Sequence, residues 1–274
     1  MIENSLPSAI NSTEQPYQVA LILRTHVLQK PKTWVLAHPE THLTPDQKAH
    51  LDRLVSRLQE GEPLPYLTGK QAFYGLDFAV SPAVLIPRPE TELLVEEALD
   101  WLKTRPDAKN ALDVGTGSGC IAVTLATRNS LLAITATDFS LAALEIAEQN
   151  AERHQVKAQI TFEQTDLLPS GNRSFDLVCA NLPYIPSGKL KEVNTLNFEP
   201  TLALDGGTDG LRLIRRLLEQ LPPRLNCPGL VLLETEATLG AETLALANAA
   251  FPQADVRLLQ DLAGLDRLVR IEAS

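Results

Sequence analysis

Two stretches of the chain carry residue types and spacing from which chemistry can be built. One is a glycine-rich turn, Asp113-Val114-Gly115-Thr116-Gly117-Ser118-Gly119; the other is Asn181-Leu182-Pro183-Tyr184, at the end of an apolar run. Glycines at the start of a helix let a ligand approach the backbone N–H groups closely. Their spacing narrows the choice of ligand. The dinucleotide fingerprint Gly-x-Gly-x-x-Gly needs glycine at position 120, where this chain has Cys120. A phosphate-binding loop needs Gly-Lys-Ser/Thr, which is absent. Asp138 follows Gly119 by 19 residues and closes a predicted strand. A carboxylate there can accept both hydroxyls of a ribose; alternatively it caps the helix that begins at Ser140.

The remaining pattern, Gly-x-Gly-x-Gly preceded by an acid, resembles the cofactor loop of S-adenosylmethionine enzymes. That ligand has no phosphate and needs close packing and hydrogen bonds more than an anion cradle. The resemblance implies that Gly115, Thr116, Gly117, Ser118, Gly119, Asp138 and Asn181 bind it. It further implies that Asp166 and Leu167, after the third strand, hold the adenine, the acid facing its exocyclic amine and the apolar side chain its face.

The tetrapeptide resembles the Asn-Pro-Pro-Tyr type of motif in methyltransferases acting on planar sp2 nitrogens, whether exocyclic amines or amides. An amide nitrogen is a poor nucleophile because its lone pair is delocalised, and it becomes electron-deficient as the methyl arrives. Two acceptors aimed at its hydrogens stabilise that charge. The Asn181 side-chain oxygen and the Leu182 backbone carbonyl supply them. Pro183 biases Leu182 toward an extended conformation, which fixes its carbonyl. Tyr184 is expected to pack against the planar acceptor group. Leu182 departs from the double-proline form, but its role uses a backbone atom. Asn-Leu-Pro-Tyr also resembles the motif of ribosomal-RNA adenine dimethyltransferases, so adenine methylation is the alternative chemistry.

The elements that must position these residues follow from periodicity. Predicted strands are Ala111–Gly115, Ala133–Asp138, Gln159–Gln164, Asp176–Ala180 and Leu230–Glu234. They alternate with predicted helices Glu92–Lys103, Gly119–Arg128, Ser140–His154, Leu211–Leu221 and Leu239–Ala250. Such alternation implies a mostly parallel sheet covered on both faces, and ligands bind at the carboxyl ends of its strands. Asp255–Gln260 and Arg267–Ile271 are joined by a loop too short for a parallel crossover and should form an antiparallel hairpin. The expected fold class is therefore α/β, similar to a class I methyltransferase: a Rossmann-like, mostly parallel sheet with an antiparallel C-terminal strand. Upstream, residues 16–68 suggest short helices. One runs from Pro45 to Leu58, capped by Thr44 and stopped by Gly61. The expected organisation is a helical N-terminal domain over 1–70, a β-hairpin connector over 71–90 and the catalytic domain over 91–274.

Composition excludes several classes. Hydrophobic residues make up 44% and charged residues 21% of the 274, as in globular proteins with a sizeable core. No run approaches the roughly 20 apolar residues of a membrane span. Met1 to Tyr17 is polar and lacks a signal-peptide pattern. Three cysteines without a Cys-x-x-Cys pair suggest neither disulfides nor zinc, no metal site is expected, and a reducing cytoplasm fits best. Net charge is −10, with the excess acid after residue 85, which opposes stable nucleic-acid binding.

Further segments specify the substrate by resemblance. They are Glu62-Pro63-Leu64-Pro65-Tyr66-Leu67-Thr68-Gly69, Phe73-Tyr74-Gly75-Leu76-Asp77-Phe78, Val84-Leu85-Ile86-Pro87-Arg88-Pro89-Glu90-Thr91-Glu92, Phe198 to Gly210, and Asp261 to Arg267. Together they are similar to the release-factor glutamine N5-methyltransferases, the HemK/PrmC family, over nearly the whole chain. The resemblance implies that the helical domain docks a peptide-chain release factor, and that the acceptor is the glutamine of its Gly-Gly-Gln loop. It makes Phe73 a candidate wall for the glutamine side chain, or else a core aromatic. Glu90 and Thr91 become candidates to close the cofactor pocket. Glu199-Pro200 should order the loop after the tetrapeptide.

Overall fold

The computed structural model describes residues 15–190 and 198–274; most of the polar N-terminal stretch lies outside them. The chain divides into two compact units, residues 1–70 and 71–274.

In the first unit, the described residues form four helices, α1 (Pro16–Leu28), α2 (Lys32–Ala37), α3 (Pro45–Gln59) and α4 (Leu64–Thr68), around a small core. The start of α3 is fixed by a reciprocal capping box. Thr44 accepts the Gln47 backbone N–H, and the Gln47 side chain accepts that of Thr44. Leu51, Leu54 and Val55, on one helical face, are buried against Leu23 and Val27 of α1.

The second unit opens with a hairpin of β1 (Lys70–Phe73) and β2 (Leu76–Ala79), turning at Tyr74-Gly75 with both residues at positive φ. Then come α5 (Glu92–Thr104), β3 (Asn110–Val114), α6 (Cys120–Arg128), β4 (Ala133–Asp138), α7 (Leu141–Arg153), β5 (Ile160–Gln164) and β6 (Phe175–Ala180). After β7 (Ile185–Pro186) and β8 (Asp205–Gly207) follow α8 (Arg212–Gln220), β9 (Leu225–Glu234), α9 (Gly240–Ala250), β10 (Asp255–Gln260) and β11 (Asp266–Ala273). The main sheet has the order β10-β11-β9-β6-β3-β4-β5. Neighbours from β9 to β5 are parallel, and β11 is antiparallel to both β9 and β10.

Alternate residues of each central strand feed different cores. Leu177 and Cys179 of β6 join Ala111 of β3 under α5 and α6. Val178 and Ala180 join Leu112 and Val114 under α8. Burial on both faces explains why these strands are apolar throughout. The sheet and terminal hairpin match the sequence expectation. The small parallel pair β7–β8 was not foreseen, and β9 begins five residues earlier than expected, at Leu225. No helix among the described residues is long and apolar enough to cross a membrane, and none of their His, Cys, Asp and Glu side chains cluster as a metal site.

Candidate active site

The carboxyl ends of β3, β4 and β6 open into a cavity of about 520 Å³, within the usual range for small-molecule sites. The glycine turn forms one wall. The N–H groups of Gly115 and Thr116 both donate to the Thr137 carbonyl, at 2.8 and 2.9 Å, so the turn is sewn to the end of β4. Asp113 holds it from beneath. One of its carboxylate oxygens accepts the Thr116 hydroxyl at 2.6 Å and the Ala122 N–H at 3.1 Å. Burial pushes the Asp113 carboxyl up to about 6, opposed by those two hydrogen bonds. Gly115 has φ +71°, and a Cβ there would meet the Leu182 side chain at 3.0 Å, so glycine is what lets the turn and the tetrapeptide approach.

Asp138 closes β4. It lines the cavity, and its two oxygens accept the Gly117 N–H at 2.9 Å and the Ser140 N–H at 2.8 Å. Burial raises its pKa, and the backbone donors at Ser140, Gly117 and Phe139 lower it. Ser140 itself caps α7 through the Ala143 N–H. Gly115, Thr116, Gly117, Ser118, Asp166, Leu167, Asn181, Leu182 and Pro183 all line the cavity.

Four of the candidate residues are not among those that line the cavity. Gly119 does not line the cavity; it is the N-cap of α6, packed against Ala147. Phe73 is not a cavity wall. Only 2% exposed, it packs edge-to-face on Phe78 in the core under α5 and α6, because the hairpin turns its apolar residues inward. Tyr184, half-buried, does not line the cavity; it lies in the field of Glu234, Arg88, Arg267 and Glu90, with burial pushing its hydroxyl up to about 12. Glu90 is exposed, whereas its neighbour Thr91 is buried and does line the cavity. Asp166 reaches the cavity but pairs with Arg216 at 2.8 Å, which engages one of its carboxylate oxygens.

Asn181 follows the last residue of β6. Its side-chain nitrogen donates to the Thr91 hydroxyl at 3.1 Å, leaving the amide oxygen for other partners. Glu234, the last residue of β9, is buried beside them. Its carboxyl is pushed up to about 7 by burial, with the Thr91 hydroxyl and Asn181 amide among the groups pulling it back. Sequence reasoning missed Glu234, although an acid closing the apolar run Leu230-Val231-Leu232-Leu233 was a legible signal. It also missed Asn150 of α7, fully buried, which bonds the Ser118 carbonyl and both backbone groups of Ala79.

Glu199 ties two segments that are distant in sequence. It pairs with Arg88 and accepts the Ile86 N–H at 3.1 Å. Gly210 passes so near that a Cβ would lie 2.4 Å from the Tyr184 carbonyl oxygen.

Comparison with known proteins agrees with this architecture. Residues 8–69 match the family model of the PrmC N-terminal domain, and residues 90–197 that of the methyltransferase small domain. Among solved structures, a methyltransferase from Pyrococcus furiosus aligns over 84% of this chain and 98% of its own, at 19% identity and TM-score 0.51. The N-terminal domain of human METTL16, solved with S-adenosylhomocysteine, covers 73% and 77%, at 18% identity and TM-score 0.51. Those likenesses concern the fold. In sequence, the release factor glutamine methyltransferase of Koribacter versatilis is 39% identical over 94% of this chain and 91% of that protein. The one from Bordetella pertussis is 39% identical over 92% and 93%. At that identity over nearly full length, the chain belongs to the release factor glutamine methyltransferase family.

Proposed function

We propose that the protein transfers a methyl group from S-adenosylmethionine to the side-chain amide nitrogen, N5, of the glutamine in the Gly-Gly-Gln loop of a peptide-chain release factor. The observation that carries this reading is the orientation of Asn181. Its nitrogen is occupied by Thr91, so its oxygen remains as an acceptor at the end of β6, beside a cavity of cofactor size.

The cavity suits the cofactor chemically. Asp138 offers carboxylate oxygens for ribose hydroxyls, and the missing side chain at Gly115 provides the close approach. Leu167 and Phe139 give apolar surface for a planar ring. The bound cofactor supplies an electrophilic methyl on a sulfonium, so no strong base is required of the protein. What these residues contribute is orientation and electrostatic stabilisation. Asn181 Oδ1 and the Leu182 carbonyl accept the two amide hydrogens and stabilise charge developing on nitrogen. Reacting atoms must be held about 3–3.5 Å apart and in line. Leu182, 4% exposed and in contact range of Gly115, cannot swing its carbonyl freely. In this reading the helical unit, on which Tyr17, Ile22 and Leu36 are exposed, docks the release factor.

The test is transfer of labelled methyl to purified release factor and, separately, to ribosomal RNA, with mass mapping of the product. Label on the Gly-Gly-Gln glutamine is the expected result. Label on RNA alone would replace this reading with adenine methylation.

A further inference from the structure

If Asn181 is the acceptor, which end of its side chain meets the substrate matters. Asparagine is nearly symmetric in shape: a rotation of its amide exchanges an acceptor for a donor. Facing a substrate NH2, only the acceptor is useful, so something must fix the orientation. Thr91 Oγ1 takes the Asn181 N–H at 3.1 Å. A hydroxyl that accepts there still has its own proton to place. Glu234 is the acceptor within reach: β9 runs parallel to β6 with Leu233 opposite Ala180, so Glu234 and Asn181 are neighbours across the sheet. Its carboxyl interacts with both Thr91 and Asn181. Two of the three are enclosed. Thr91 is 1% and Glu234 4% exposed, and Glu234 Oε2 has no hydrogen-bond partner among the described residues.

We infer that Glu234 is a positioning residue: its carboxylate, acting through the Thr91 hydroxyl, holds the Asn181 amide with its oxygen toward the acceptor nitrogen. The inference rests on the amide-methylation reading above. An ionised carboxylate is acceptor-only, so Thr91 must donate to it and Asn181 must donate to Thr91. A protonated Glu234 can donate to Thr91 instead. The chain of donors then reverses, and the asparagine presents its NH2 to the substrate NH2.

Charges around Glu234 come from every side. Glu90 opposes its ionisation and Arg267 favours it. Tyr184 and Cys120 both feel Glu234 and have their own pKa values pushed up to about 12, so both remain neutral near pH 7. Within this cluster Glu234, at about 7, is the group that changes charge around neutrality.

The experiment is the pH dependence of kcat, at saturating cofactor and release factor, for wild type and Glu234→Gln. S-adenosylhomocysteine binding is measured in parallel. Wild-type kcat is expected to fall about tenfold per pH unit below about pH 7. Glu234→Gln, unable to enforce one orientation, should lose about tenfold or more in kcat and lose that acid limb. Its affinities for release factor and S-adenosylhomocysteine should remain near wild type, because Glu234 does not line the cavity. Asp113, at about 6, is unchanged in the variant, so a limb caused by it would persist. Wild-type kcat in Glu234→Gln, or a lower kcat with the same limb, overturns the inference. If Glu234→Gln does not fold, Thr91→Val carries the test, since it cuts the link and should flatten the same limb; an intact limb in it overturns the role. Absence of glutamine methylation by the wild type would instead refute the functional reading itself.

Discussion

Glu199 and Arg88, 111 residues apart in sequence, form an ion pair in which the carboxylate is almost fully buried and the guanidinium about one-third exposed. The second Glu199 oxygen accepts the Ile86 N–H, so one side chain pins the segment from Val84 to Arg88 to the loop that follows the tetrapeptide. Both segments line the cavity. Glu199→Ala removes the pair and orphans a buried N–H. A loss of about 2–4 kcal/mol in urea unfolding is expected, together with weaker S-adenosylhomocysteine binding. An unchanged unfolding midpoint would show that the strap bears no load.

Asn181→Ala deletes the acceptor but leaves the glycine turn and Asp138, which line the rest of the cavity, in place. We expect kcat to fall at least about 10²-fold, while S-adenosylhomocysteine affinity changes by less than about tenfold. Rapid-quench transfer assays with isothermal titration separate the two effects. Equal losses in binding and kcat would make Asn181 a cofactor ligand first and an acceptor second.

Asp138 offers a different signature. In Asp138→Asn one oxygen becomes an NH2 that cannot accept, so either the Gly117 or the Ser140 N–H loses its partner and the ribose loses a charged acceptor. A charged hydrogen bond contributes about 1.5–3 kcal/mol, which corresponds to S-adenosylhomocysteine binding about 10–100-fold more weakly. The release factor KM should not change, and a change confined to it would contradict the assignment.

Much of this site was legible because its signals are local. The spacing of Gly115, Gly117 and Gly119 excludes two cofactor classes without any structure. Asp138 and Asn181 end strands whose apolar runs are visible in the sequence, so their place at the ligand-binding edge follows from topology. What failed depends on side-chain direction or on strand order. Phe73 and Tyr184 sit where expected along the backbone, but Phe73 turns into the core and Tyr184 does not line the cavity. Glu234 becomes a neighbour of Asn181 only once β9 is known to lie beside β6, and Thr91 reaches them from a single 3-10 turn. The pair β7–β8 is too short for periodicity to detect.

Gly210 tests how tightly the post-motif loop must fit. Its φ is +80°, and a Cβ would sit 2.4 Å from the Tyr184 carbonyl oxygen and 2.9 Å from Leu239. Tyr184 is two residues beyond Leu182, whose carbonyl is the proposed second acceptor, so displacement there would disturb that geometry. Gly210→Ala is expected to cost about 2–4 kcal/mol and to lower kcat at temperatures where the variant is folded. Gly188→Ala is the control: nothing lies within 4 Å of its Cβ and its φ is unstrained, so its effect should stay within about 0.5 kcal/mol. If both variants melt at the wild-type temperature, the loop has room that the contact distances deny.

Glu234 should also affect stability, with a sign opposite to that of a structural salt bridge. Its carboxyl in the fold titrates near 7, above the ordinary 4.5, with burial the leading cause. The folded protein therefore retains a proton that the unfolded chain releases between those values, and stability falls as pH rises through the window. Above pH 7 the penalty is complete, at roughly 3 kcal/mol as an upper estimate. Glu234→Gln removes the charge but keeps the shape, so it should be more stable than wild type at pH 8, the two converging as pH falls toward 4.5. Urea melts at pH 5 and pH 8 decide the matter. A less stable variant at pH 8 would mean that the carboxylate stabilises the fold, and that a structural role suffices to explain it. A more stable and slower variant would show that the protein maintains a destabilising buried charge because the orientation of Asn181 depends on it.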